Sequence, residues 1–461
     1  MELETSDKPK WQASKAPLVS GSLWRAIWIM SWPLLLTTIS GSIMGMVDIQ
    51  VAGFIGSAAQ AAVGLSEQII FLFMIFIMSV SIGTTAVVSR SFGAGETADS
   101  IIATSQSLAL SLIMGLALAL LALCTARLVL PVFSSSAQVI EQAQLYLSIF
   151  SIYLMPFSVL SIVNAAFRAI GDAKTPLAVV LATTAVTITG DYLTVVGNWP
   201  IPGLGIKGIA LSAVVGSTMG STIALWRLHC SPLKESLRHI WPPAFAAMSR
   251  VVNVGIPSAF QRLSWAGAVF VLFFILSRCQ HPTEGLASWT IGMRVEGLVF
   301  MPLMALSLAV SSIVGQNLGA RQVDRAFTAG WHVTWIGVAM MIVLAVLIFV
   351  FAEPFAHFMS RDPQTISYTA AYLRINALAE PFLAVGMVLG GALQGAGDTR
   401  APMWISIFSN WIVRLPLAWL LSLRLGLGPD GAWISMTVSV ILMGLLTAWR
   451  FQSGGWVKVR V

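Results

Sequence analysis

Three carboxylates interrupt stretches that otherwise carry almost no charge: Asp48, Glu67 and Asp191. A charge at mid-bilayer costs about 2.5–3.5 kcal/mol on insertion scales, so an acid kept inside an apolar run faces a cavity or a partner. Asp48 stands five residues before Gly53, the outer end of its run, or roughly 8 Å at the helical rise. Asp191 stands 15 residues beyond Pro176, which opens its run on the inner side, or about 22 Å across. Both therefore fall at one depth in the outer half. Two desolvated carboxylates in one dry cavity repel each other, and both effects favour a bound proton or cation that leaves when another positive charge arrives. The chemistry on offer is ion exchange. The plainer alternatives are a satisfied polar residue near a helix end for Asp48, and backbone loosened by Gly190 for Asp191. Glu67 is expected close to the outer interface and solvated.

The second half of the chain has the opposite balance. Its runs hold Arg262, Arg294, Arg374 and Arg414 against Glu296 and Glu380, whereas the first half's runs carry basic residues only at their ends, at Arg25, Lys207 and Arg227. A cation site is thus expected in the first half. Arg294 and Glu296 are two positions apart and cannot face each other on one helix, so Arg294 is expected to pair with another helix or to gate. The other three arginines and Glu380 are read as inter-helix contacts. Pro33 removes a backbone hydrogen bond 15 residues before Asp48, making a bending point. Pro156, Pro257, Pro302, Pro381 and Pro416 interrupt other runs. The 17 tryptophans and 20 methionines could line a pocket for flat cations, although interfacial belts and packing account for most of them.

These residues need elements to hold them, and the composition says which. The 461 residues are 57% apolar and 10% charged, against about 25% charged for soluble domains. Apolar runs long enough to cross a bilayer recur twelve times, at roughly 24–54, 62–89, 100–124, 138–167, 176–197, 207–228, 249–278, 286–316, 327–351, 365–395, 402–423 and 430–451. Backbone groups in lipid must be satisfied internally, so each run is expected as a helix. A β-barrel would alternate apolar and polar residues, which Phe71–Val80 does not. The fold expected is an all-α membrane protein. No secretory signal peptide is expected at its start, where residues 1–22 read as a polar tail.

Lysine and arginine set the orientation. With the N-terminus inside, the tail and the loops after even-numbered spans hold 17 of the 26 basic residues, and the opposite loops hold 5. That is the positive-inside rule. It puts both termini in the cytoplasm and accounts for the net charge of +7 without nucleic acid as a partner.

An internal repeat organises the spans. Val87–Gly95 (VVSRSFGAG) matches Ile313–Arg321 (IVGQNLGAR), and Phe167–Pro176 (FRAIGDAKTP) matches Leu393–Pro402 (LQGAGDTRAP), both at an offset of 226 residues. Six crossings per half make parallel repeats related by an axis along the membrane normal. The expected organisation is a tail (1–23), a first lobe (24–229), a cytoplasmic linker (230–248), a second lobe (249–452) and a tail (453–461). Gly171-Asp172 and Gly397-Asp398 read as caps or hinges at helix junctions.

Cys124, Cys230 and Cys279 show neither metal nor disulfide spacing. The five histidines are scattered, no catalytic dyad is apparent, and no Walker phosphate loop is present. Neither an enzyme nor an ATP-driven pump is expected, and no cofactor or structural metal. A channel would need rings of like residues from an oligomer. This chain builds its own pathway, so a monomer is expected.

Motifs in sequence order carry a resemblance: Trp32-Pro33, Met46-Val47-Asp48 and Gly53; Asn164, Arg168, Gly171-Asp172 and Pro176; Gly190-Asp191; Arg294-Val295-Glu296-Gly297 with Met301-Pro302; and Val314-Gly315-Gln316-Asn317-Leu318-Gly319-Ala320. Over essentially its whole length the chain resembles the multidrug and toxic compound extrusion (MATE) family, in particular its DinF-like subgroup. The resemblance implies two pseudo-symmetric six-helix bundles in the inner (plasma) membrane. It implies alternating access that exports organic cations and drugs against inward H+ or Na+. It also makes Asp48 and Asp191 the coupling site, with Asn164 beside them. Where some relatives carry an asparagine one turn before the second aspartate, this chain has Thr187, a departure that favours H+ over a full Na+ site at Asp48 and Asp191. The seventh span lacks the glutamate of the NorM-like subgroup. The alternative is a flippase or exporter of lipid-linked saccharides, which a large cationic groove would favour and an acidic first lobe opposes.

Overall fold

The computed structural model describes residues 18–128, 136–195 and 203–459. Most of the expected N-terminal tail, the last two residues of the expected fifth span and residues 460–461 lie outside them. The described residues form helices α1 (Leu23–Ile55), α2 (Ser57–Gly93), α3 (Thr97–Leu128), α4 (Ala137–Ala169), α5 (Lys174–Val195) and α6 (Ile206–His229). A second set follows: α7 (Phe245–Leu276), α8 (Pro282–Gly319), α9 (Val323–Met359), α10 (Pro363–Ala377 and Glu380–Gly395), α11 (Arg400–Arg424) and α12 (Pro429–Gln452). Eleven are single spans by length and hydropathy, and the two parts of α10 make a twelfth, bent by 53°.

Every helix starts one to five residues before its expected apolar run and most also end beyond it, although α7 stops two residues short, because polar and glycine-rich ends continue the turn beyond the hydrocarbon. The break in α10 is the exception. Pro381 has no N–H to donate to the carbonyl of Ala377, four residues back, so the helix stops at Ala377 and restarts at Glu380 with the proline in its first turn, where no such bond is needed. In α11, Pro416 sits between two π-helical segments, Phe408–Arg414 and Trp419–Arg424. Pro33 lies buried within α1, which runs through it unbroken. Outside the spans, Asp362 caps α10 by accepting from the Thr365 N–H and hydroxyl, both at 2.7 Å. Those two bonds hold its carboxyl below the usual carboxylate range.

Two six-helix lobes result, and the repeated turns serve one purpose in each. Gly171 (φ 90°) and Gly397 (φ 89°) both take the left-handed conformation that ends a helix. Asp172 then caps α5 through the Lys174 and Thr175 N–H groups at 3.0 Å. Asp398 accepts from the Ala401 N–H at 3.3 Å and pairs with Arg450 at 2.7 Å. These aspartates are caps, as expected from their turns.

The lobes meet on the face that carries the chain termini. There α2 packs against α7 and α8, and α1 against α8. Leu18 is buried in the core of the second lobe and Val19 in that of the first. The Asn317 amide donates to Leu18 O at 3.2 Å, and Arg250 holds Asp99 with two bonds of 2.8 and 3.0 Å.

Candidate functional site

The acids of the first lobe come together near the opposite face. Asp48 lies seven residues before the end of α1, Glu67 ten after the start of α2, and Asp191 four before the end of α5. Along their helices that is about 6–15 Å from the termini-distal ends. Asp191 is fully buried and Asp48 is 9% exposed. Asp48 Oδ1 and both Asp191 oxygens lack a hydrogen-bond partner among the described residues. The two carboxyls are within electrostatic reach of each other, and Glu67 of Asp48. No lysine or arginine enters their electrostatic surroundings among the described residues.

Packing of α5 on α6 fixes this arrangement. A Cβ on Gly216 would lie 2.1 Å from Thr187 Oγ1, so the glycine is what lets α6 seat against that hydroxyl. Thr187 is buried, one turn before Asp191. The expected pairing of Asp48 with Asp191 is therefore present in the geometry. Glu67 differs from its expected solvated position: it is half-buried and within electrostatic reach of Asp48, because α2 starts at Ser57 and carries it well into the bundle. Asn164 is buried with Oδ1 unpartnered, but no hydrogen bond joins it to either aspartate. It sits 18 residues beyond Tyr146 on α4, about 27 Å of helix away.

Two further residues belong with the acids. Tyr146 is in electrostatic reach of Asp48, Glu67 and Asp191, and Tyr153 of Asp48. They open a ladder of rings down α4, in which Tyr146–Phe150, Phe150–Tyr153 and Tyr153–Phe157 have centroids 5.5, 4.4 and 5.0 Å apart. The i, i+4, i+7, i+11 spacing of these aromatics was the sequence signal for this wall.

The second lobe holds a separate polar cluster. Tyr372 donates to Glu296 Oε1 at 2.5 Å, and Arg414 Nε donates to Ser439 Oγ at 2.8 Å. Arg414 lies within electrostatic reach of Glu296. Glu380, at the break of α10, is 5% exposed and its Oε2 has no partner among the described residues. Arg374 pairs with Glu353 of α9 at 3.1 Å, an inter-helix contact as expected. Arg294 does not: it is exposed and pairs with no other helix among the described residues. Glu296, on another face two positions later, takes the helix partner instead.

Two unpartnered, mutually repelling carboxylates in a buried site must be balanced by a proton or a cation. Among the described residues no set of three or more His, Cys, Asp or Glu side chains is placed to hold a metal ion.

Comparison with known proteins gives consistent results. The family model MatE matches residues 33–193 and 257–420. A relative described as a probable multidrug resistance protein NorM, from Thermotoga maritima, is 27% identical over 419 residues, covering 90% of this chain and 89% of its own. The probable multidrug resistance protein YoeA of Bacillus subtilis is 24% identical, covering 100% and 99%. Among solved structures, an outward-facing multidrug resistance MATE family transporter of the MOP superfamily superposes with a TM-score of 0.87 at 20% identity, covering 98% of this chain and 100% of that one. A MOP superfamily transporter from Pyrococcus furiosus does so with a TM-score of 0.87 at 21% identity and the same coverage.

Proposed function

The chain belongs to the MatE family, and from that premise we propose that it is a secondary active exporter, moving organic cations and drugs out of the cell against inward H+. It is a multi-pass membrane transporter rather than an enzyme. One observation carries the finer reading: Asp48 and Asp191 share a buried site with unpartnered oxygens and no basic residue near them. Such a site holds one kind of positive charge at a time.

In the proposed cycle, protons arriving from outside neutralise Asp48 and Asp191. Loss of the buried charge lets α1 repack, bending near Pro33, and weakens the hold on a cationic substrate, which leaves outward. The lobes then rock to open inward, where the protons dissociate and substrate binds again. The face carrying the termini is assigned to the cytoplasm by its lysines and arginines, in an inner (plasma) membrane and a monomer. Acids without a basic neighbour support cationic cargo and oppose the alternative of lipid-linked saccharides, whose phosphates they would repel.

The test is dye efflux from proteoliposomes carrying proton and sodium gradients imposed separately. An inward proton gradient alone is expected to drive efflux of ethidium. Efflux that ignores the proton gradient and follows only sodium would reverse the ion assignment. Thr187→Asn supplies an amide oxygen one turn before Asp191 as an additional neutral ligand for a cation. It is expected to raise the sodium-driven component severalfold, measured in the same assay.

A further inference from the structure

The repeat acquires a mechanical meaning where its two copies meet. At the crossing of α2 and α8 the contacts are reciprocal. A Cβ on Gly93 would lie 2.0 Å from Gln316 O, and one on its repeat mate Gly319 would lie 2.0 Å from Arg90 O. Residues 90 and 316 are themselves mates at the same offset of 226. From that crossing each sends its side chain to the other lobe. Arg90 Nη1 donates to Ala396 O at 3.3 Å, just past the end of α10, and to Val459 O at 2.6 Å. Gln316 Nε2 donates to Ala169 O, at the end of α4, at 2.6 Å. The last carbonyls of a helix have no partner within it. Here the opposite lobe supplies the donor in both directions, and the arginine adds a positive charge to the negative end of the helix dipole.

We propose that Arg90 and Gln316 are the latch of the cytoplasmic gate, positioning residues that hold the two lobes shut on that face while the site is open to the outside. The inference rests on the alternating-access reading above. Opening toward the cytoplasm must break these three hydrogen bonds and part the two backbones, and closing remakes them. Gln316 is fully buried, so its bond is shielded from water and its loss is felt in full. Arg90 is half-buried at the rim. The two mates thus divide the task between a dry inner bond and a charged outer one.

Ser89 reports on the seam. It is fully buried, and its Cβ lies 3.0 Å from where a Gly315 Cβ would be. In protein whose Cys124, Cys230 and Cys279 are replaced by alanine, Ser89→Cys is labelled with a membrane-impermeant maleimide from the cytoplasmic side of inside-out vesicles. Gln316→Glu is nearly isosteric but sets an acceptor against the Ala169 carbonyl. It is expected to raise the labelling rate about tenfold, the shift that loss of a buried hydrogen bond brings. Arg90→Ala is expected to act in the same direction, the double variant further still, and Arg90→Lys in between. A melting temperature within a few degrees of the parent distinguishes gate opening from unfolding. Independently, oxidation of a Ser89→Cys/Gly315→Cys pair, close to disulfide spacing, is expected to stop efflux, with dithiothreitol restoring it. Unchanged labelling in both Gln316→Glu and Arg90→Ala, or efflux continuing through the bridged pair, overturns the latch. Failure of the exporter reading shows separately, as a parent protein that moves no dye under any imposed gradient.

Discussion

Asp48→Asn is expected to insert and fold as the parent does, yet to lose proton-driven dye efflux by roughly a hundredfold or more. The change keeps side-chain size and removes the group that exchanges H+ for a cation. Asp191→Asn should do the same. Because the two acids form one exchange site, their effects should not add: the double variant is expected to transport no worse than either single one, the behaviour of residues that work as a unit. The check is initial efflux rate in proteoliposomes at equal reconstituted protein. Glu67→Gln is the useful control, since Glu67 reaches Asp48 but is only half-buried. A smaller loss is expected there. If Asp48→Asn exported dye at the parental rate with intact proton coupling, the mechanism would fail.

The second large effect concerns stability. In the second lobe Arg414, 6% exposed, stands within electrostatic reach of Glu296, and Glu296 in turn of Glu380. Arg414→Leu leaves the half-buried Glu296 and the buried Glu380 with no positive neighbour in that cluster. The change also deletes the charged hydrogen bond to Ser439, and bonds of that kind are worth about 1.5–3 kcal/mol, so a clear fall in the melting temperature of the purified protein is expected. Glu296→Gln in the same chain should recover a good part of that loss, although Glu296→Gln alone gives up the strong acceptor of the 2.5 Å bond from Tyr372. A double-mutant cycle measures the coupling. Additive losses would show that Arg414 is held by Ser439 and packing alone.

How much of this was legible beforehand follows from physics. Span positions were readable because bilayer thickness dictates run length, whatever the neighbouring helices do. Asp48 and Asp191 stood out because a buried acid is expensive and therefore rare, and helical rise alone placed them at one depth. Glu67 was misjudged because depth from an assumed helix start says nothing about which way a side chain faces. α2 begins earlier than its apolar run, and the side chain turns toward α1. The ring ladder of Tyr146, Phe150, Tyr153 and Phe157 has a helical period, but in an apolar helix many residues share such periods, so the pattern does not announce itself. The repeat was visible as two motifs at one offset. That Gly93 and Gly319 are the crossing point needed the inter-lobe geometry, which no run of sequence encodes locally. Pro381 marked an interruption in α10, but not that a buried Glu380 with an unpartnered oxygen would sit at the break.

The central claim is that a bound proton and an organic cation exclude each other at Asp48 and Asp191. The most direct test titrates purified protein with ethidium in weakly buffered detergent solution while following pH and dye fluorescence together. The account predicts proton release that rises with dye bound and saturates with it, and no release from the Asp48→Asn/Asp191→Asn protein. Saturable dye binding to the unmodified protein with no release of either H+ or Na+ would contradict it.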